Sequence, residues 1–136
     1  MKYLVDSDWT ADYLAGKSHA VQLLDSLVED GLSISIVTYG EVYEGVLYGG
    51  NPARHEAALR QFLRGVDVLG LNRAIMRRFA TIRGMLREQG QIIGDPDILI
   101  GATALHHDLT LITRNHRHFQ RIPNLLLHMH TPASNS

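Results

Sequence analysis

The stretch Gly94–Leu105, GDPDILIGATAL, decides the fold. Beyond its two aspartates it is apolar or small nearly all the way round a helix. Such a helix has no solvent face and is expected at the centre of the molecule. Pro96 suits a first helical position, which makes Asp95 the expected N-cap, because residues before proline avoid helical dihedrals. Asp97 is then the second helical residue, free to point into a pocket from the positive end of the helix dipole. The two acids are therefore expected to divide their work, Asp95 as a structural residue and Asp97 as a functional one.

Working outward, short apolar strands alternate with amphipathic helices. Lys2–Asp6 (KYLVD), Ser33–Val37 (SISIV), Asp67–Leu71 (DVLGL), Thr110–Thr113 (TLIT) and Leu125–His128 read as strands. Between them come a helix carrying Trp9, Tyr13 and Leu14, capped by Ser7 or Asp8, and a second over His19–Asp30. A third opens at Thr38 and closes at Gly49-Gly50. Asn51-Pro52 starts a fourth, and Asn72 caps a long one that ends before Gly90. This alternation predicts a single α/β domain over residues 1–130, with a mainly parallel central sheet flanked by helices and a frayed tail over 131–136.

The chain has 136 residues, 45% of them hydrophobic and 20% charged, the values of an ordinary globular domain rather than a disordered one. It has no cysteine, which excludes disulfides, thiolate zinc sites and a thiol nucleophile and suits a reducing cytoplasm. The start MKYLVDSDWT is too short and too acidic for a signal peptide, and no stretch has the length of a membrane span. The net charge of -1 hides an asymmetry. Residues 1–50 carry eight acids against two lysines, whereas the rest is rich in arginine, including Arg73, Arg77, Arg78, Arg83 and Arg87. An acidic half beside an arginine-rich half can bind a cation and a polyanion together.

Four polar residues are expected to share a location. Asp6 ends the first strand, Glu41 follows the second, Asp97 opens the apolar helix, and Asn115 follows TLIT. In open α/β sheets such positions converge outside the carboxyl ends of the strands. Clustered carboxylates repel unless a cation compensates, and oxygen donors suit Mg²⁺ or Mn²⁺. The pairs His116/His118 and His128/His130 could each share a face of an extended segment, but they have no cysteine or adjacent acid to complete a zinc site. The G-x-S-x-G elbow and the G-x-x-x-x-G-K phosphate loop are both absent.

Four blocks, KYLVDSDWTADYLAG, SISIVTYGEVYEGVLYG, GDPDILIGATAL and TLITRNHRHFQRIPNLLL, occur in the order found in PIN-domain ribonucleases. Together they most resemble VapC-type toxins of bacterial toxin–antitoxin pairs, over about residues 2 to 128. The resemblance implies that Asp6, Glu41 and Asp97 hold a Mg²⁺ (or Mn²⁺) ion and that these residues and Asn115 form the catalytic site. Asn115 stands where the family has either a fourth acid or an Asn. The resemblance further implies cleavage of structured RNA (transfer RNA as the target class), a VapB-like antitoxin as partner, a homodimer and a cytoplasmic location. Trp9, Tyr13, Leu14, Tyr43 and Leu47 are the expected landing face for the antitoxin. Two other readings are a PIN nuclease of RNA maturation without an antitoxin and a binding protein with an inert acidic pocket.

Overall fold

The computed structural model describes residues 2–129. The expected tail 131–136 and His130 lie outside the described residues. Four short strands, β1 (Tyr3–Val5), β2 (Leu32–Ser35), β3 (Val66–Leu69) and β4 (Thr110–Ile112), form one sheet in the order β3-β2-β1-β4. Every pairing is parallel, with Tyr3 opposite both Leu32 and Thr110. Leu125–His128, expected as a further strand, makes only one parallel bridge, Leu111 to Leu127.

The helices are α1 (Ser7–Leu14), α2 (Ser18–Leu27), α3 (Ile36–Tyr48), α4 (Pro52–Phe62), α5 (Arg73–Glu88), α6 (Asp95–His106) and α7 (His116–Phe119). Strand alternation sends side chains to two cores. Tyr3, Val5, Leu32 and Ile34 pack with Trp9, Leu24, Val42 and Phe62 on one face. Leu4 and Leu111 pack on the other with Ile75, Ile82, Leu86, Ile98 and Ile100 of α5 and α6. The apolar helix is central, as its composition requires: Ile98, Ile100, Ala102 and Ala104 are all buried.

Two boundaries differ from the sequence reading. The run SISIV leaves the sheet after Ser35, whose hydroxyl accepts from the Val37 N–H at 3.0 Å and caps α3. Glu41 is thus in the second turn of α3 rather than in the first. The α6 helix begins at Asp95 with Gly94 as N-cap and no side-chain cap. Asp95 instead accepts from Arg83 Nε at 2.9 Å, an ion pair that ties α6 to α5.

The topology places the site. From β1 the chain moves outward through β2 to β3, then returns across the sheet to β4 on the other side of β1. The strand order reverses between β1 and β4, and ligands of open α/β sheets bind at such a switch point.

Candidate active site

Asp6 follows β1 at this crevice. It caps α1, with Oδ1 accepting from the Ser7 N–H at 2.7 Å, so the cap is neither Ser7 nor Asp8 as expected. Its other oxygen accepts from the Thr113 hydroxyl at 2.7 Å, across the β1–β4 seam. Asp6 is buried, and burial raises its pKa from 3.8 to about 6. The charges of Asp8 and Asp97 add to the rise, while the hydrogen bonds from Thr113 and Ser7 oppose it.

The other residues join Asp6 through short chains of contacts. Ser7 Oγ donates to Glu41 Oε1 at 2.6 Å and lies 3.1 Å from the hydroxyl of the buried Thr38, one turn before Glu41. On the opposite side, the Asn115 N–H donates to Thr113 Oγ1 at 3.0 Å. The Asn115 amide reaches Asp97 Oδ2 at 3.4 Å and His118 Nδ1 at 2.8 Å. The His118 ring also lies 3.5 Å from Asp97. Contacts therefore link Asp6 to Asn115 and Asp97 on one side and, through Ser7, to Glu41 on the other.

Among the described residues, no lysine or arginine forms an ion pair with Asp6, Glu41 or Asp97. Nor do three His, Cys, Asp or Glu side chains there stand close enough to enclose an ion as they are placed. The donor chemistry nevertheless fits a hard divalent cation: carboxylate oxygens, one buried and short of positive charge.

Several features escaped the sequence reading. Thr113 is buried and orients Asp6, and His118 reaches the crevice because Asn115 opens the short α7. Arg114 fastens the end of β4 to α1. Its N–H donates to Asp8 Oδ2 at 3.0 Å and its guanidinium to the Asp8 carbonyl at 3.1 Å and to Asp12 at 2.5 Å. The same guanidinium lies over the Trp9 ring at 5.6 Å. Burial alone would raise the pKa of Asp12, but His19, Arg114 and Lys17 outweigh it and lower the pKa. Asp8 and Asp12 thus serve this clamp. The T-R-N triplet after an apolar strand was the only signal of it. Of the candidates for the landing face, Trp9 is a core residue at 4% exposure, whereas Leu47 stands half exposed.

An open parallel sheet with carboxylates near its switch point defines an α/β protein with a ligand site of oxygen donors. The chain belongs to the PIN domain family, whose pattern matches residues 3–125. Within that family it falls with the VapC ribonucleases. It is 33% identical over 99 residues to "Ribonuclease VapC1" of Haemophilus influenzae strain R2866, covering 73% of this chain and 74% of that one. It is 28% identical over 125 residues to "tRNA(fMet)-specific endonuclease VapC" of Shigella flexneri, covering 92% and 95%. Among solved structures, VapBC2 from Rickettsia felis bound to a promoter DNA fragment superposes with a TM-score of 0.86 at 25% identity, covering 94% of this chain and 98% of that one. PIN nucleases generally depend on divalent metal ions.

Proposed function

We propose that this protein is a Mg²⁺-dependent endoribonuclease toxin that cleaves structured RNA of the transfer RNA class and is restrained by a VapB-like antitoxin. The observation that carries the reading is Asp6, a buried carboxylate at the switch point with a pKa of about 6, neighboured by Asp97 and linked through Ser7 to Glu41. Family membership supports ribonuclease chemistry, and the VapBC assemblies among the solved neighbours are toxin–antitoxin complexes. The name of the Shigella flexneri relative supports a transfer RNA as target. Loops of such RNAs present unstacked bases that a protein can grip.

Asp6, Glu41 and Asp97 would hold Mg²⁺, with Mn²⁺ as a substitute. When bound, the ion supplies electrophilic stabilisation of the charge that develops on a phosphodiester oxygen. The chain itself does the positioning. Thr113 and the Ser7 N–H fix both oxygens of Asp6, Ser7 Oγ fixes one oxygen of Glu41, and Asn115 orients Asp97. Hydrolysis adds water at phosphorus and breaks one P–O bond in line. The protein works in the cytoplasm as a homodimer under this reading. No helix among the described residues is long and apolar enough to cross a membrane.

The antitoxin segment would settle against α1, α3 and α4, where Ser7, Ala11, Leu14, Glu41, Val42 and His55 line a groove of about 270 Å³. The test is inducible expression of the wild type and of Asp6→Asn, alone and with the protein encoded beside it. Growth arrest by the wild type alone, relieved by Asp6→Asn or by the neighbour, is the expected result. Equal harmlessness of both forms and no copurifying partner would leave a nuclease of RNA maturation or an inert pocket.

A further inference from the structure

The α5 helix carries five arginines, no lysine and a single acid, Glu88. At 3.6 residues per turn, Arg73, Arg77, Arg83 and Arg87 fall within roughly a third of the helix circumference. The buried side chains Ile75, Ile82 and Leu86 occupy a different face, and all four arginines are exposed. The stripe is about 21 Å long at 1.5 Å per residue. Solvated helix faces ordinarily mix charges of both signs. The charged side chains of this face are all arginine, the side chain whose planar fork matches phosphate oxygens.

The stripe does not end at random. Arg83 is bound at Nε by Asp95, two residues before Asp97 in the same first turn of α6. That contact anchors the guanidinium through Nε, and among the described residues no ion pair or hydrogen bond engages its two terminal nitrogens. Beside it, Arg83 and Arg87 line an open cleft of about 500 Å³ that extends to Gly94 and Asp95 at the start of α6. The geometry points to a phosphate track: Arg73, Arg77, Arg83 and Arg87 bind the backbone of the RNA strand and lead it to the acidic crevice, with Asp95 holding the Arg83 fork at the entrance. Resting on the RNA-cleaving reading, this gives Asp95 a function distinct from that of Asp97. Backbone contacts set register and affinity and carry no sequence information, so the track serves any strand of suitable shape.

Binding without cleavage isolates the track. The probe is a fluorescein-labelled single-stranded oligoribonucleotide, titrated in EDTA with anisotropy as readout, at several salt concentrations. Arg83→Gln/Arg87→Gln weakens binding about tenfold at low salt and reduces the slope of log K against log[salt] by about 0.7 for each arginine removed. Arg73→Gln/Arg77→Gln, which touches no ion pair among the described residues, lowers the slope in the same way. In cleavage assays KM rises more than kcat falls. Arg60→Gln on α4, where Arg60 pairs with Glu56, is the control and leaves the slope unchanged. Slopes in both double variants equal to that of the control overturn the track, as does a change of oligomeric state with RNA binding intact. If the wild type binds with the predicted slope yet cleaves no RNA with Mg²⁺ or Mn²⁺, the track stands and the nuclease reading falls.

Discussion

Replacing Asp6 by Asn should stabilise the metal-free protein at neutral pH, although it removes the residue on which the site is centred. Asp6 titrates at about 6 in the folded chain against an ordinary 3.8, because burial penalises its charge and Asp8 and Asp97 repel it. The folded chain therefore holds the proton more tightly than the unfolded chain. Stability falls as pH rises from 3.8 through about 6 and levels off above. At neutral pH the ionised side chain costs about 3 kcal/mol. An asparagine carries no charge and caps a helix about as well. It must turn the Thr113 hydroxyl round to accept rather than donate, which costs about 1 kcal/mol. The variant should thus be about 2 kcal/mol more stable at about pH 7.5, or about 8 °C in Tm for a chain of this length. The gap should close near pH 4.5, where wild-type Asp6 is protonated in the folded state. The assay is a pair of thermal melts in EDTA at the two pH values, repeated with millimolar Mg²⁺ or Mn²⁺. Either ion should raise the wild-type Tm by binding linkage and raise that of Asp6→Asn less. An Asn variant that is less stable by the same amount at both pH values would refute the reasoning, since the charge would then cost nothing.

Other outcomes follow from the same contacts. Thr113→Val removes the buried hydroxyl that donates to Asp6, so it should lower stability by about 1–3 kcal/mol at neutral pH and push the Asp6 titration higher, as NMR of the carboxyl group would show. Asp12→Asn should destabilise at neutral pH. The folded pKa of Asp12 is lowered, so its contribution is present above the unfolded value and lost as pH falls, and melts of the variant and wild type should converge in acid. Asp95→Asn keeps an acceptor for Arg83 Nε and should cost little in stability or cleavage, checked by the same melts and by RNA digestion.

The parallel sheet and the positions of Asp6, Asp97 and Asn115 were legible because each lies just beyond an apolar strand or opens an apolar helix, local patterns that topology then brings together. Glu41 was legible as an acid on the helix after the second strand, but its turn was not. The β-branched run SISIV favours strand, and only the Ser35 cap shows that Ile36 and Val37 have already become helix. Asp95 was misjudged as a cap for a tertiary reason: its partner Arg83 lies on α5 and becomes a neighbour only once α5 packs against α6. Trp9 was a candidate for the antitoxin's landing face as well as for the core, because an aromatic on an early helix does not say what covers it. Here the covering groups are the core residues of the first face and Arg114, distant in sequence. The hydrogen-bond chain Thr113–Asn115–His118 joins residues close in sequence, yet it has meaning only because Asp6 and Asp97 arrive from elsewhere.

The most direct test of the central claim is cleavage of purified transfer RNA by wild-type protein and by Asp6→Asn, Glu41→Gln, Asp97→Asn and Asp95→Asn, with Mg²⁺, with Mn²⁺ and with EDTA, sequencing the new ends. The wild type and Asp95→Asn should cut at the same discrete positions in either ion and not in EDTA. The other three variants should lose most of that cleavage while melting cooperatively. Cleavage that persists in EDTA, or that Asp95→Asn abolishes while Asp97→Asn spares it, would contradict the account.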